Sequence, residues 1–342
     1  MKRFLTDPRP LRARVGRAAA GALTFSVVFG PSAAALLGQE TEVDDRGSSV
    51  EAATFLLVPL GARNVGMGGA FAGARGDVEG VLWHPASLAA LEKWAVFYHG
   101  SNDFGTSTHA FGGVVPWGVN RIGVSLLALD LGSIEGRDAN NQPLGTIDLS
   151  NTVVSLSIAR PVSPRIEVGA AYKFVRIGGG CDGCTGLAPD ATGHAFDVSV
   201  LGRTGPEDRL RLGLVVSNLG PGVAFTSGGE TDPLPARLRV GGEFDVLAPS
   251  EARDVDVRVR TDLRQTFTEF DDLDLFTGGE VGYRSIALLR LGYAAGTGGR
   301  SGLALGVGVR YEGFQLDLGR TFDDFAGFDS DSPFQISVAY QP

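Results

Sequence analysis

The sequence predicts an all-β protein, a 14-stranded antiparallel transmembrane up-and-down β-barrel with an N-terminal, partly helical hatch in its lumen. Three observations predict this fold. Segments of alternating hydrophobicity follow one another from residue 93 to the end of the chain. Tight turns and longer connections alternate between those segments. The preceding stretch, residues 60–91, is rich in Gly and Ala and does not alternate, which is typical of a compact plug.

The alternating segments give fourteen strand candidates. They lie near residues 93–101, 106–116, 120–131, 149–160, 165–177, 192–203, 208–218, 235–247, 252–266, 273–283, 286–296, 301–311, 313–321 and 333–341. Most have the length of roughly 9–11 residues that crosses a bilayer at a tilt. The longer predicted connections include 132–148, 178–191, 219–234 and 322–332, and tight turns separate them, as in a meander whose loops gather at one end.

The segment 254–264 separates apolar from charged side chains along one strand. Val255, Val257 and Val259 share one face, and a row of charges shares the other. The candidate lumen charges on that row are Asp254, Asp256, Arg258, Arg260, Asp262 and Arg264. We interpret them as structural pairs first and as a polar path second, because a charge facing lipid at mid-depth costs about 2–4 kcal/mol.

Alternation alone fits two kinds of sheet. A soluble sandwich buries the apolar face between two sheets, whereas a membrane barrel turns it to lipid. The even number of strand candidates and the aromatic residues at their ends favour the barrel. The alternating strand at 333–341 also favours it, because it can pair with the first strand and leave no edge open in lipid.

Residues 1–35 have the order of a secretory signal peptide. Residues 1–17 are basic, residues 18–29 are apolar, and small residues follow Pro31. The alternative is a membrane anchor, which Thr24, Ser26 and Pro31 weaken. The predicted organisation is a signal peptide at 1–35, a hatch or plug segment at 36–92 and a transmembrane barrel at 93–342, located in the bacterial outer membrane.

Composition excludes several function classes. The formal net charge of −9 argues against a nucleic-acid partner, which requires a basic face. Cys181 and Cys184 are the only cysteines, and in an exported protein they predict a loop disulfide. A zinc site would need two more ligands, and the four histidines lack ligand spacing, so no metal is predicted. No catalytic motif occurs, so the chain is predicted not to be an enzyme and to need no cofactor.

The plug segment resembles the N-terminal signature of the PorV/PorQ family, which belongs with the FadL-like outer-membrane barrels. The resemblance rests on residues 60–63, 66–71, 77–81 and 83–89, and the chain has His84 and Ser87 where the family pattern has Asn and Gly. It implies a fourteen-stranded barrel whose N-terminal segment folds back into the lumen as a hatch. In FadL-like members the hatch and the barrel wall form a path for hydrophobic molecules, and PorV-like members hold secretion cargo with their loops.

The resemblance also supplies the candidate site residues. The hatch or gating candidates are Gly61, Arg63, Gly66, Met67, Gly68, Gly69, Trp83, His84 and Pro85. The candidates for lining an apolar ligand pocket are Phe71, Val81, Leu82 and Trp83. The alternative for both sets is that they simply pack inside the barrel, because buried plug residues have the same sequence pattern.

Three hypotheses about function follow. The first is a hatch-gated channel or transporter for small hydrophobic compounds, with outer-membrane lipid around it and a hydrophobic small molecule as ligand. The second is a scaffold or surface-attachment protein associated with type IX secretion machinery, which binds cargo through its loops. The third is a soluble exported β-protein with the two strand faces inverted.

Overall fold

The computed structural model describes residues 51–103, 106–137, 140–182, 190–225, 231–249, 254–267, 273–296, 301–323 and 334–342. Contacts divide the chain into two units, Met1–Ser48 and Ser49–Pro342, and all the described residues belong to the second. The predicted signal peptide and the first part of the predicted hatch therefore lie outside the described residues. Within the described ranges, no helix is long and apolar enough to cross a membrane.

Fourteen strands close into one antiparallel barrel. In chain order, β1 to β14 are Ala95–Asp103, Thr106–Trp117, Asn120–Arg137, Pro143–Ser163, Ile166–Asp182, Asp190–Thr204, Leu210–Leu219, Arg237–Leu247, Val255–Thr266, Leu273–Tyr283, Ala287–Gly296, Gly302–Tyr311, Phe314–Asp323 and Phe334–Tyr340. Each strand pairs with its neighbours in sequence, and β1 pairs with β14, so the sheet has no open edge in the barrel wall. The predicted fold class is confirmed.

The two faces of the wall are inverted relative to a soluble protein. Leu156 and Leu305 point outward and are 56% and 46% exposed. Asp262 and Arg290, on inward positions, are both fully buried. The apolar side chains therefore form the lipid-facing surface, and the charged ones are inside. A sandwich, in which Leu305 and Val338 would meet in a shared core, is excluded by their exposure.

Several aromatic rings gather at the end of the barrel that carries the tight turns, which we name the short-turn end. Its fully described connections are residues 118–119, 164–165, 205–209, 284–286 and 312–313. Tyr340 packs against Trp94 and Phe314, with ring centroids 5.4 and 4.4 Å apart. Such a cluster is typical of the aromatic girdle at a membrane interface.

The opposite end, the long-loop end, differs from the sequence prediction because β3, β4 and β5 extend into the predicted loops 132–148 and 178–191. Residues 132–148 were predicted as a loop, but β3 continues to Arg137 and β4 begins at Pro143, so these strands have 18 and 21 residues. A register shift next to Gly132, whose φ is +79°, restarts the pairing, and Ile134 then faces Ile147. A bulge of this kind lets a strand continue with its faces reset. Residues 131–137, 143–149 and 178–182 form a sheet extension that we name the wing.

The hydrophobic core lies inside the barrel. Val81, Leu88 and Trp83 from the plug pack in one cluster with inward side chains such as Val153 and Val175. The plug itself contains one short helix, α1 (Ala62–Gly66), and three 3₁₀ helices, Thr54–Leu57, Val78–Val81 and Pro85–Ala90. We use the name hatch below for residues 51–94, the described part that precedes β1.

Candidate functional site

Glycines of the hatch allow its chain to turn tightly inside a narrow space. Gly61, Gly68 and Gly69 have φ values of +90°, +71° and +87°. L-residues with a β-carbon are strained in that region, so Gly is required for the two reversals around α1. The side chains of α1, including Arg63 and Val65, are buried. The local sequence therefore produces a short helix between tight turns and not a strand.

The barrel wall is also built from glycine where the hatch backbone touches it. A β-carbon on Gly292 would lie 1.9 Å from the nitrogen of Gly68, and one on Gly278 would lie 2.4 Å from the oxygen of Met67. Gly278 and Gly292 face each other across β10 and β11. Gly66 lies in the same way against Gly306 of β12. These contacts between backbones seat the hatch without intervening side chains.

Asp262 of β9 anchors the turn that follows α1. Its carboxylate accepts hydrogen bonds from the backbone N–H groups of Phe71 (2.7 Å) and Ala72 (2.9 Å). The same oxygen accepts one from the guanidinium of Arg239 at 3.0 Å. Arg239 also donates to the carbonyl oxygen of Gly69 at 2.9 Å. Hydrogen bonds to a charged group are worth about 1.5–3 kcal/mol each, so this is a strong attachment.

Ion pairs fill the lumen on the side of β7 to β13. Arg290, which is fully buried, donates to Glu280 at 2.6 Å and to Asp317 at 2.7 Å. Arg63 of the hatch joins this network through Glu280 at 3.4 Å. The network also contains Arg211, Glu243, Asp245, Asp256, Arg258 and Arg260. Removing one partner of such a buried pair typically costs about 3–5 kcal/mol, so the charges hold one another and the hatch in place.

Two further ion pairs attach the rest of the hatch. Arg75 donates to Glu167 of β5 at 2.7 Å, and Ser199 of β6 accepts from the N–H of Ala86 at 2.9 Å. Near the long-loop end, Glu51 accepts two hydrogen bonds from Arg237, at 2.7 and 2.8 Å. The hatch is thus bound to the wall at Glu51, around α1, at Arg75 and at Ala86.

His84, a predicted gating residue, is fully buried and precedes the 3₁₀ helix that begins at Pro85. Burial lowers the pKa of His84 to about 3, and the positive charges of Arg239 and Arg260 act in the same direction. The imidazole is therefore neutral at physiological pH. Its ring stacks on Trp83, with centroids 6.5 Å apart.

A cavity of about 90 Å³ separates the hatch from the wall below the long-loop end. We name it the hatch pocket. Its apolar lining comes from Leu56, Leu57, Val58, Pro59, Leu60, Phe71, Leu82, Trp83, Val215 and Phe276. Its polar lining includes Lys173, Asn218, Arg237, Arg239 and Arg264. Mostly apolar walls with a few placed polar groups are typical of small-molecule sites.

An aromatic and cationic stack forms one wall of the hatch pocket. The guanidinium carbon of Arg239 lies 4.0 Å from the ring centre of Phe71 and 4.4 Å from that of Phe276. Phe71 in turn packs on Trp83, with centroids 4.5 Å apart. Cation–π contacts at these distances stabilise the stack by about 0.5–2 kcal/mol each. Phe276 also lines a second, smaller cavity of about 20 Å³, so its ring separates the two spaces.

The structure brings some of the sequence candidates together and separates others. Phe71, Leu82 and Trp83 line the hatch pocket, whereas Val81 packs in the core below β3, next to Gly123. Asp256, Arg258, Arg260, Asp262 and Arg264 lie on the lumen side of β9.

Asp254 does not belong with the lumen charges. It precedes β9 and pairs with Arg284 at 3.0 Å at the short-turn end, and both side chains are 59% exposed. The alternating pattern of the sequence includes Asp254, but the strand begins one residue later, at Val255, so Asp254 lies outside the barrel wall. The disulfide predicted between Cys181 and Cys184 involves a residue outside the described ranges. In the described part of the chain, no cluster of three His, Cys, Asp or Glu residues is arranged to hold a metal ion.

Sequence reasoning missed several residues of the site. Arg239, Phe276 and Lys173 line the pocket from three different strands, and no local motif marks them. The wall glycines, by contrast, are recognisable in the sequence, because Gly306 and Gly308 alternate with Leu305 and so form a small-residue face of β12. Small residues on lumen positions of several strands therefore indicate where a plug backbone touches the wall.

Comparison with known proteins gives a fold. No protein-family model matches the chain, and no curated protein matches it. The toluene transporter TodX of Pseudomonas putida is similar in structure, with a TM-score of 0.55, 14% identity, and coverage of 81% of this chain and 95% of that one. The toluene transporter TbuX of Ralstonia pickettii is similar with a TM-score of 0.51 and 14% identity, and the match covers 82% of this chain and 97% of that one.

A FadL homologue of Pseudomonas aeruginosa matches with a TM-score of 0.50 and 12% identity, covering 83% of this chain and 99% of that one. At these identities the likeness concerns the fold. The chain therefore has the fold of the FadL-like fourteen-stranded barrels.

Proposed function

We propose that the chain is a bacterial outer-membrane channel for small hydrophobic compounds, in which the hatch closes the lumen and the hatch pocket receives the ligand. The observation that carries the proposal is the apolar pocket between the hatch and the wall. Barrels of the same fold include proteins described as toluene transporters and as a monoaromatic hydrocarbon channel, which supports an apolar ligand.

The lining of the pocket favours a ligand with one polar end. Lys173, Arg237 and Arg239 already pair with carboxylates, so they offer a polar edge without a free charge. Trp83 lines the pocket, and its indole N–H has no hydrogen-bond partner among the described residues. A buried indole N–H usually finds an acceptor, so a ligand oxygen would be favoured there. The cavity is smaller than the ~150 Å³ that holds benzene in an engineered core, so binding would widen it.

Uptake measurements test this proposal. A Gram-negative host that lacks related barrels would express the chain, and uptake of radiolabelled toluene and of radiolabelled benzyl alcohol, which adds one polar end, would be followed. Leu60→Trp fills the hatch pocket and is expected to reduce uptake by at least tenfold. Leu289→Trp is the matched control, because Leu289 is 60% exposed on the lipid face and its replacement is expected to leave uptake unchanged. Equal uptake by both variants would contradict a route through the pocket.

Deletion of residues 60–91 tests the hatch directly. We expect planar bilayers containing the deleted protein to conduct ions far better than bilayers containing the full chain, because the lumen loses its plug. Unchanged conductance would contradict the closing role. Circular dichroism of both proteins would first establish that the barrel still forms.

A second candidate function is a PorV/PorQ-type scaffold that works with type IX secretion machinery. The wing supports it, because β3 and β4 have 18 and 21 residues and a bilayer crossing needs only about 9–11. The extension offers a binding surface beyond the membrane. Replacing residues 131–149 by a short turn would abolish capture of secretion components in pull-downs if this candidate is right, and would leave toluene uptake intact if the channel is right.

A further inference from the structure

A small polar cavity lies between the hatch and strands β12 to β14 toward the short-turn end. Its volume is about 40 Å³, which is enough for about one water molecule. Its lining is largely charged and includes Arg63, Asp77, Glu79, Arg310, Asp317 and Ser337. The hatch pocket does not share these residues, so this cavity is a separate feature.

Glu79 is the carboxyl group in this cavity that has no ion pair among the described residues. It is the second residue of the 3₁₀ helix Val78–Val81, where the carboxylate of the N-cap residue Asp77 accepts a hydrogen bond from the Glu79 N–H at 3.0 Å. The Glu79 residue is 4% exposed, and its Oε1 atom has no hydrogen-bond partner in the described part of the chain. Arg63 is occupied elsewhere, 3.4 Å from Glu280 and 3.6 Å from Asp77.

Ser337 of β14 connects Glu79 to the wall. Its hydroxyl oxygen accepts a hydrogen bond from the N–H of Ala62 at 3.0 Å and lies 3.1 Å from Nδ1 of His99. The Ser337 hydroxyl lines the polar cavity together with Glu79, and its hydrogen-bonding effect lowers the pKa of that carboxyl. Because a hydroxyl both donates and accepts, and an imidazole exists as two tautomers, this chain of groups adapts to Glu79 with or without its proton.

Charged and titratable groups line the cavity of Glu79 or pair directly with a residue of its lining. They are Asp77 on the hatch, Arg63 on α1, His99 on β1, Glu280 on β10, Arg290 on β11, Arg310 on β12 and Asp317 on β13. Burial and the neighbouring charge of Asp77 raise the pKa of Glu79 to about 8, against the opposing effects of Ser337 and Arg63. At neutral pH the group is therefore mostly protonated.

We propose that Glu79 is a proton-controlled latch that holds the base of the hatch on the barrel wall. Protonated Glu79 places a neutral group beside Asp77 and packs against Gly61, where its Oε2 would lie 2.5 Å from an added β-carbon. Loss of the proton puts a second negative charge beside Asp77, draws water into the polar cavity and weakens the contact of Ala62 with Ser337. The proposal rests on the proposed function only in treating the hatch as the element that closes the lumen.

Infrared difference spectra of the full chain in lipid vesicles, taken between pH 6 and pH 10, test the latch. We expect a carboxylic-acid carbonyl band that disappears as the pH rises and that is missing in Glu79→Gln. Glu92→Gln is the matched control, because Glu92 is an exposed acid of the same segment, and it should keep the band. A band that persists in Glu79→Gln, or that never titrates in this range, would overturn the proposal.

Hydrogen exchange measures the consequence for the hatch. After correction for intrinsic rates, exchange of residues 60–91 is expected to rise at least tenfold above pH 8 in the unmodified chain and to stay constant in Glu79→Gln. An equal rise in both proteins would refute the latch. If Glu79→Gln does not fold, Ser337→Ala replaces it. The Glu79 carboxylate then loses a hydrogen-bond donor, so the pH midpoint at which the carbonyl band disappears should rise. An unchanged midpoint would contradict the assignment of the band to Glu79. Neither readout depends on toluene uptake, so failure of the latch and failure of the channel are separate results.

Discussion

Asp262→Asn is the substitution with the most specific expected effect on the hatch. Asp262 is fully buried, and a single oxygen accepts from Phe71 N–H, Ala72 N–H and Arg239. The amide is isosteric and can still accept through its oxygen. It loses the negative charge that pairs with Arg239, and its NH₂ group takes the position of Oδ1, which has no hydrogen-bond partner among the described residues.

The magnitude follows from the change in hydrogen-bond type. Charge-assisted bonds contribute about 1.5–3 kcal/mol each, and neutral ones about 1 kcal/mol. Two backbone bonds that each weaken by about 1 kcal/mol destabilise the attached turn by about 2 kcal/mol. That difference corresponds to a roughly thirtyfold increase in local opening, because about 1.4 kcal/mol is a factor of ten. The buried Arg239 guanidinium would also lose the negative charge that pairs with it, which destabilises the turn further.

Hydrogen exchange resolved to peptides checks this expectation in the folded barrel. Residues 67–74 should exchange about thirtyfold faster in Asp262→Asn, while peptides of β1 to β6 stay unchanged. Asp274→Asn is the matched control: Asp274 pairs with Arg264 at 2.7 Å in the same part of the wall but, among the described residues, has no hydrogen bond to the hatch. Unchanged exchange of 67–74 in Asp262→Asn, or an equal change in the control, would refute the role of Asp262 as the anchor.

Three other predictions concern packing, the pocket wall and pH. Gly292→Ala should prevent the hatch from packing on the wall, because the new β-carbon would lie 1.9 Å from a hatch nitrogen. Gly279→Ala is the control, because the nearest atom to its new β-carbon would be 3.8 Å away. A folding assay by gel mobility should show a defect in the first variant and normal folding in the second. Phe276→Ala removes a ring that is 7% exposed and that lies between the two cavities, so the substitution would connect them. It should lower the free energy of unfolding by about 3–5 kcal/mol and should broaden the range of compounds taken up. His84 has a lowered pKa, so the folded state stays unprotonated while the unfolded state gains a proton below pH 6.5. Its contribution to stability is therefore present above pH 6.5 and is lost as the pH falls toward 3, by about 1.4 kcal/mol per pH unit, and His84→Asn should flatten that slope in urea titrations.

The wall of the barrel was predictable from the sequence, because apolar and polar residues alternate within each strand and so mark its two faces. In β9, Val259 and Arg260 fall on opposite sides in the sequence pattern and in the structure. The wing was not predictable in the same way. The bulge at Gly132 changes which residues share a face, so the alternation of β3 breaks there although the strand continues.

The pocket was predictable only in part, for a physical reason. Phe71 and Trp83 belong to one contiguous segment that the glycine pattern marks as the plug. Arg239 and Phe276 meet Phe71 only because the registers of β8, β9 and β10 bring them to one level. Register between distant strands depends on turn lengths and bulges, and a single sequence does not specify these contacts.

The distribution of attachment points indicates where a ligand can pass. Around α1 the hatch backbone lies directly on Gly278, Gly292 and Gly306, and buried ion pairs such as Arg290 with Glu280 surround it. Moving α1 would break the pair of Arg63 with Glu280, at about 3–5 kcal/mol, and would uncover the buried charges of the wall. Residues 56–60, by contrast, are only partly buried, and the hatch pocket lies beneath them. If the proposed channel function is right, a ligand would reach the pocket at least cost by displacing residues 56–60, while α1 and the charged network remain in place.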